Sequence, residues 1–98
     1  MRIGTALVRG PSMVPTLYDG DRLVIAYGVR VRPGDLVVAR FRTRPDLLVV
    51  KRAGRRSQGG WELASDNPYA AGPSGIADVE ARVLLRSWPL RRRAAAER

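Results

Sequence analysis

Gly and Pro interrupt this chain roughly every 10 to 15 residues, and the stretches between them are short, apolar and rich in β-branched residues. That rhythm leaves no room for a helix of ordinary length and predicts a run of short strands joined by turns. Asp21–Tyr27 (DRLVIAY) follows an Asp19-Gly20 turn, Asp35–Phe41 (DLVVARF) follows Pro33-Gly34, and Leu47–Arg52 (LLVVKR) follows Pro45-Asp46. Thr5–Arg9 reads as a first strand, and Trp61–Ala64 as the return arm of a hairpin with Arg55–Gly60 as its loop. After a Pro/Gly/Asn/Ala stretch, Val79, Ala81, Val83 and Leu85 alternate with Glu80, Arg82, Leu84 and Arg86, the period of a half-buried closing strand. Five or six short strands in 98 residues predict an all-β fold whose small antiparallel sheet curls or partly closes on itself.

Such a chain is expected to form one domain over residues 1–90, followed by a basic tail over residues 91–98. Its longest apolar runs, Leu23–Tyr27 among them, fall far short of the roughly 18 residues of a membrane helix, and the N-terminus lacks an apolar stretch suited to secretion. The absence of Cys fits a reducing compartment, so a soluble cytoplasmic protein without a membrane anchor is expected. The 17 Arg and one Lys give a net charge of +9 against nine acids. Most of the arginines alternate with apolar residues, as outward strand positions do, which argues for a solvated face rather than a specific nucleic-acid surface.

With no His and no Cys, imidazole bases and thiol nucleophiles are excluded, no metal site is expected, and no cofactor is called for. Acid–base or nucleophilic chemistry would fall to hydroxyls, carboxylates or the lone lysine. Ser12 lies in Gly10-Pro11-Ser12-Met13-Val14-Pro15-Thr16-Leu17, where two prolines forbid regular structure and impose a fixed turn after a strand. A rigid turn can present the hydroxyl together with its own N–H, the geometry acyl transfer requires. Lys51 closes the apolar run Leu47-Leu48-Val49-Val50; alternation puts it on the face of Leu47 and Val49, with Arg52 turned the other way. Burial there would lower the amine pKa toward a range where it accepts a proton near neutrality. Plainer roles are open to both: Ser12 satisfying backbone groups in its turn, Lys51 snorkelling to solvent.

The segment Gly10–Asp21 resembles the nucleophile box of type I signal peptidases and their relatives, Ser–Lys proteases that include the self-cleaving repressors of the LexA type. Arg32-Pro33-Gly34-Asp35-Leu36-Val37-Val38 is similar to the next box, Val49-Val50-Lys51-Arg52 to the lysine box, Asp66-Asn67-Pro68 to the start of the last box, and Val83–Pro89 to the closing strand. The resemblance covers about residues 7–89. It implies that Ser12 is the nucleophile, that Lys51 is the general base, and that the Ser12 N–H is part of an oxyanion hole. It pairs Arg52 with Asp66 behind the site and puts Met13 near the substrate pocket, a residue whose plainer role is core filling. Gly10 falls at the oxyanion-side position where some members carry a hydroxyl. The serine that orients the lysine in many members falls on Ala71, and Pro73 also departs from the pattern; Ser74 takes that role if the loop is shifted.

A short, anchorless, Arg-rich version looks most like the soluble branch of nickel-type superoxide dismutase maturation proteases. That likeness implies a serine endopeptidase that removes an N-terminal propeptide from a soluble precursor, its partner being that polypeptide. The eleven residues before Ser12 are too few for an in-cis cleavage segment. Two other readings are carried alongside: a basic β-barrel that binds nucleic acid through its arginines and aromatics, and a family member that folds without cleaving, prompted by Ala71 and Pro73.

Overall fold

The computed structural model describes residues 1–88; the expected tail at residues 91–98 and Pro89 lie outside the described residues. Six strands are present: β1 (Arg2–Leu7), β2 (Arg22–Tyr27), β3 (Leu36–Phe41), β4 (Leu48–Ser57), β5 (Gly60–Ala64) and β6 (Ile76–Trp88). They form one antiparallel sheet in the order β1-β2-β6-β3-β4-β5, and β5 returns to pair with β6. The fold is all-β, and β6, β3, β4 and β5 close a ring from which β2 and β1 extend. No helix among the described residues is long and apolar enough to cross a membrane.

β6 makes the closure possible because its 13 residues are long enough to serve three partners. Ile76 and Ala77 meet β5, Ala77 to Arg82 meet β3, and Ala81 onward meets β2. The strand starts earlier than the alternation from Val79 predicts, since Glu80 and Asp78 face Arg40 on β3 and Arg42 just beyond its end. Arg42 holds Asp78 at 2.8 Å and Arg40 holds Glu80 at 2.7 Å.

Two apolar clusters fill the interior. Val8, Met13, Leu17, Leu23, Ile25, Val38 and Ala81 form one, and Val37, Ala39, Phe41, Ala53, Trp61 and Ala77 form the other. Consecutive residues of β3 feed opposite clusters, so its first four residues pack on both faces and read as an unbroken apolar run that ends at Arg40. The β4–β5 hairpin corrects the expected six-residue loop. β4 continues to Ser57, which pairs with Gly60. Only Gln58 and Gly59 turn, both at positive φ (53° and 76°), the type I′ geometry that matches strand twist. Likewise β1 spans Arg2–Leu7 rather than Thr5–Arg9, because Gly10 (φ 80°) already belongs to the turn that follows.

Candidate active site

The chain leaves β1 at Val8 and rejoins the sheet at Asp21, where the Val8 N–H donates to the Asp21 carbonyl (2.8 Å) and the Gly20 N–H to the Val8 carbonyl (2.8 Å). The intervening loop carries Ser12. Within it the Val14 N–H donates to the Pro11 carbonyl (3.1 Å) and the Leu17 N–H to the Met13 carbonyl (2.8 Å), and the Val14–Pro15 peptide is cis. Met13 and Leu17 plug the loop into the first cluster at 1% and 4% exposure, leaving Ser12 half-buried above them.

Lys51 sits on β4 opposite Val37 and alternates with Val49 and Ala53, which belong to or pack against the second cluster. It is buried at 9% exposure, and its Nζ donates to Ser65 Oγ at 2.8 Å. Desolvation holds its pKa below the ordinary lysine range. Arg52, facing the other way, grips Asp66 through Nε–Oδ1 (3.1 Å) and Nη2–Oδ2 (2.5 Å). Thr16 of the Ser12 loop donates to the same carboxylate. The Arg52 hydrogen bond, with a smaller contribution from Thr16, keeps the Asp66 carboxyl below its usual pKa.

Residues 65–67 therefore join the two halves of the site. The Asp66 N–H meets Met13 Sδ (3.4 Å), the Asn67 N–H donates to the Ser12 carbonyl (2.9 Å), and Asn67 Nδ2 donates to the Pro11 carbonyl (2.9 Å). Ser12 and Lys51 line one groove of about 250 Å³, whose walls come from residues 7–12, residues 47–51, and Ala71 with Pro73. Leu7, Leu47 and Leu48 keep it apolar and partly open to solvent. A larger groove of about 800 Å³ lies between the β2–β3 connection, the β4–β5 turn and β6. It holds neither Ser12 nor Lys51, so the smaller groove is the one that brings a serine hydroxyl and the buried lysine amine together.

Ser12 and Lys51 are thus brought to one groove, and Arg52 and Asp66 to one ion pair. Three expectations change. Met13 is core, buried beneath the loop and absent from the groove wall. Gly10 lines the groove, but its N–H is taken by Asp19 Oδ1 at 2.7 Å, so it does not offer a donor to an oxyanion. Ser74 does not orient the lysine; the loop carries it to Thr43, whose hydroxyl donates to the Ser74 carbonyl (3.2 Å). The hydroxyl at Lys51 is Ser65, fourteen residues along the chain, which sequence reading passed over. The hairpin register contained the signal: Arg52 pairs with Ala64, so the next residue on either side brings Lys51 to Ser65. Asn67 was also passed over as more than part of a box.

Compared with known families, residues 3–83 match the family model described as Peptidase S24-like. That span contains Ser12, Lys51, Ser65, Asp66 and Asn67. A search of curated proteins finds no match.

Proposed function

Since the chain belongs to the Peptidase S24-like family, a family of serine peptidases, we propose that it is an endopeptidase working through a Ser12–Lys51 dyad. The observation that carries this reading is the placement of the only lysine. It is buried, lowered in pKa by that burial, held by Ser65, and set in the same groove as a serine on a rigid turn. A neutral Lys51 amine takes the Ser12 hydroxyl proton as Oγ attacks the scissile carbonyl. The Ser12 N–H, which has no protein acceptor among the described residues, stabilises the oxyanion. On collapse the C–N bond breaks and Lys51 returns the proton to the leaving amine. Water, deprotonated by the same amine, then attacks the acyl-enzyme. The acid product leaves with Ser12 restored and Lys51 again neutral.

The substrate we propose is a soluble precursor whose N-terminal propeptide is removed, with nickel-type superoxide dismutase the precursor to which the sequence resemblance leads. An apolar groove with aliphatic walls suits an extended, small-residue segment better than a bulky or charged one. The test has two arms. A serine-reactive fluorophosphonate should label Ser12, with labelling lost in Ser12→Ala and in Lys51→Ala while both variants keep the wild-type circular dichroism. Incubation with the dismutase precursor should then yield one new N-terminus by mass spectrometry. Labelling that persists in Lys51→Ala sinks the dyad; labelling without precursor cleavage sinks only the substrate.

A further inference from the structure

We infer that Asn67 is a positioning residue that aims the oxyanion-binding N–H of Ser12. The proposal rests on the Ser12–Lys51 reading and adds a residue to it. The Pro11 carbonyl and the Ser12 N–H belong to a single peptide unit, which is trans because the cis bond of this loop is Val14–Pro15. In a planar trans peptide the C=O and N–H point in opposite directions. Whatever fixes the Pro11 oxygen therefore fixes the direction of the Ser12 N–H.

Asn67 Nδ2 donates to the Pro11 oxygen at 2.9 Å. That oxygen also accepts from the Val14 N–H at 3.1 Å, so both its lone-pair directions are used. The amide is not free to rotate, because Asn67 Oδ1 accepts the Tyr69 N–H at 2.9 Å and commits Nδ2 to Pro11. One residue further on, the Asn67 main-chain N–H donates to the Ser12 carbonyl at 2.9 Å, so the peptide units on both sides of the Ser12 Cα are held from the same residue. No hydrogen bond is made by the Ser12 N–H to any described residue. A carbonyl that accepts two hydrogen bonds also polarises the N–H of its own peptide, making it a stronger donor. The side chain of Asn67 thus acts through Pro11 on an atom it does not touch.

The test uses acylation by p-nitrophenyl butyrate and binding of a small alkyl boronic acid, whose tetrahedral adduct on Ser12 needs the same N–H. Asn67→Ala removes the amide. Asn67→Asp keeps its size and the acceptor for Tyr69 but sets a carboxylate oxygen against the Pro11 carbonyl. For both we expect acylation slowed roughly 10- to 100-fold, below the roughly 10²–10³ lost with an outright oxyanion donor. Half-saturation by the ester should stay within about twofold, and boronate affinity should fall in step with the acylation rate. The pH midpoint of Asn67→Ala should stay at the wild-type value, since Lys51 is untouched. Acylation within twofold of wild type in a folded Asn67→Asp protein overturns the proposal, as does a loss confined to half-saturation. Should Asn67→Ala fail to fold, Asn67→Asp alone decides it. Failure of the wild-type protein to acylate at Ser12 would instead reject the dyad.

Discussion

At the scale of the residue, Lys51 is where stability and the proposed chemistry pull against each other. Its folded pKa lies below the 10.5 of an unperturbed lysine because burial disfavours the ammonium. Between those two values the unfolded chain binds more protons, so stability rises with pH across that window and the cost is fully present below it. Lys51→Met, which keeps the volume and removes the charge, should therefore raise the melting temperature at pH 7 while abolishing acylation, as scanning calorimetry beside the ester assay would read. In the wild type, acylation should climb with pH through the depressed lysine pKa, with a midpoint below 10.5. Ser65 accepts from the lysine and holds the charged form better than the neutral one. Ser65→Ala should consequently move that midpoint to lower pH and, with the amine released from its alignment, lower the plateau roughly 10- to 100-fold. A midpoint that stays in place would mean that Ser65 does not hold the amine during turnover.

At the scale of the element, the ion pair between β4 and the segment after β5 ties the serine loop to the lysine strand. Asp66 is 18% exposed and bound by both Arg52 and Thr16, while Arg52 is about one-third exposed. Asp66→Asn should cost about 1.5 kcal/mol by urea denaturation, the low end for hydrogen bonds to charged groups because solvent screens the arginine. With its carboxyl pKa depressed, the wild-type contribution is complete above the ordinary aspartate value of 3.8 and disappears as pH falls through the folded pKa, a loss Asp66→Asn should not show. Ring closure has its own sensitive point. A Cβ on Gly60 would lie 2.5 Å from the Ala77 carbonyl oxygen, so Gly60→Ala should separate β5 from β6 and destabilise far more than an ordinary surface change. Strands β2 and β3 were legible in the sequence because apolar runs stand between clear turn pairs. The second half of β4 was not: Arg55 and Arg56 look like loop residues, yet they are exposed strand positions, Arg55 paired with Glu62 and Arg56 stacked over Trp61. Ser12, Lys51, Arg52 and Asp66 could be proposed from the resemblance of their boxes to a known family. Ser65 and Asn67 could not, since their partners are fixed by strand register and by backbone carbonyls that carry no side-chain label.

At the scale of the whole fold, β6 is the member every closure depends on, and among the described strands β1 is the one with a single partner. Native-state hydrogen exchange should therefore protect the middle of β3 and β6 most, with β1 and residues 68–75 opening first. Equal protection in β1 and β3 would contradict that order. The positive charge is spread over the same ring. Among the described residues, Arg40, Arg42, Arg44, Arg52 and Arg55 are in ion pairs, three of them with strand residues opposite or nearby. Single-stranded DNA should accordingly bind more weakly than about 10 µM at 0.15 M salt, within the range of nonspecific phosphate contacts, as a salt titration by fluorescence anisotropy would measure.

A chain with one lysine, buried where the chemistry is proposed, carries its own spectroscopic reporter. Growth with lysine enriched in ¹³C at Cε gives a spectrum with a single side-chain resonance, and its chemical shift follows the protonation of Lys51 without any substitution. On the proposed mechanism the same peak registers acylation of Ser12 and the arrival of a peptide in the groove. Every other cation in the chain is arginine or the N-terminus and stays silent in that spectrum.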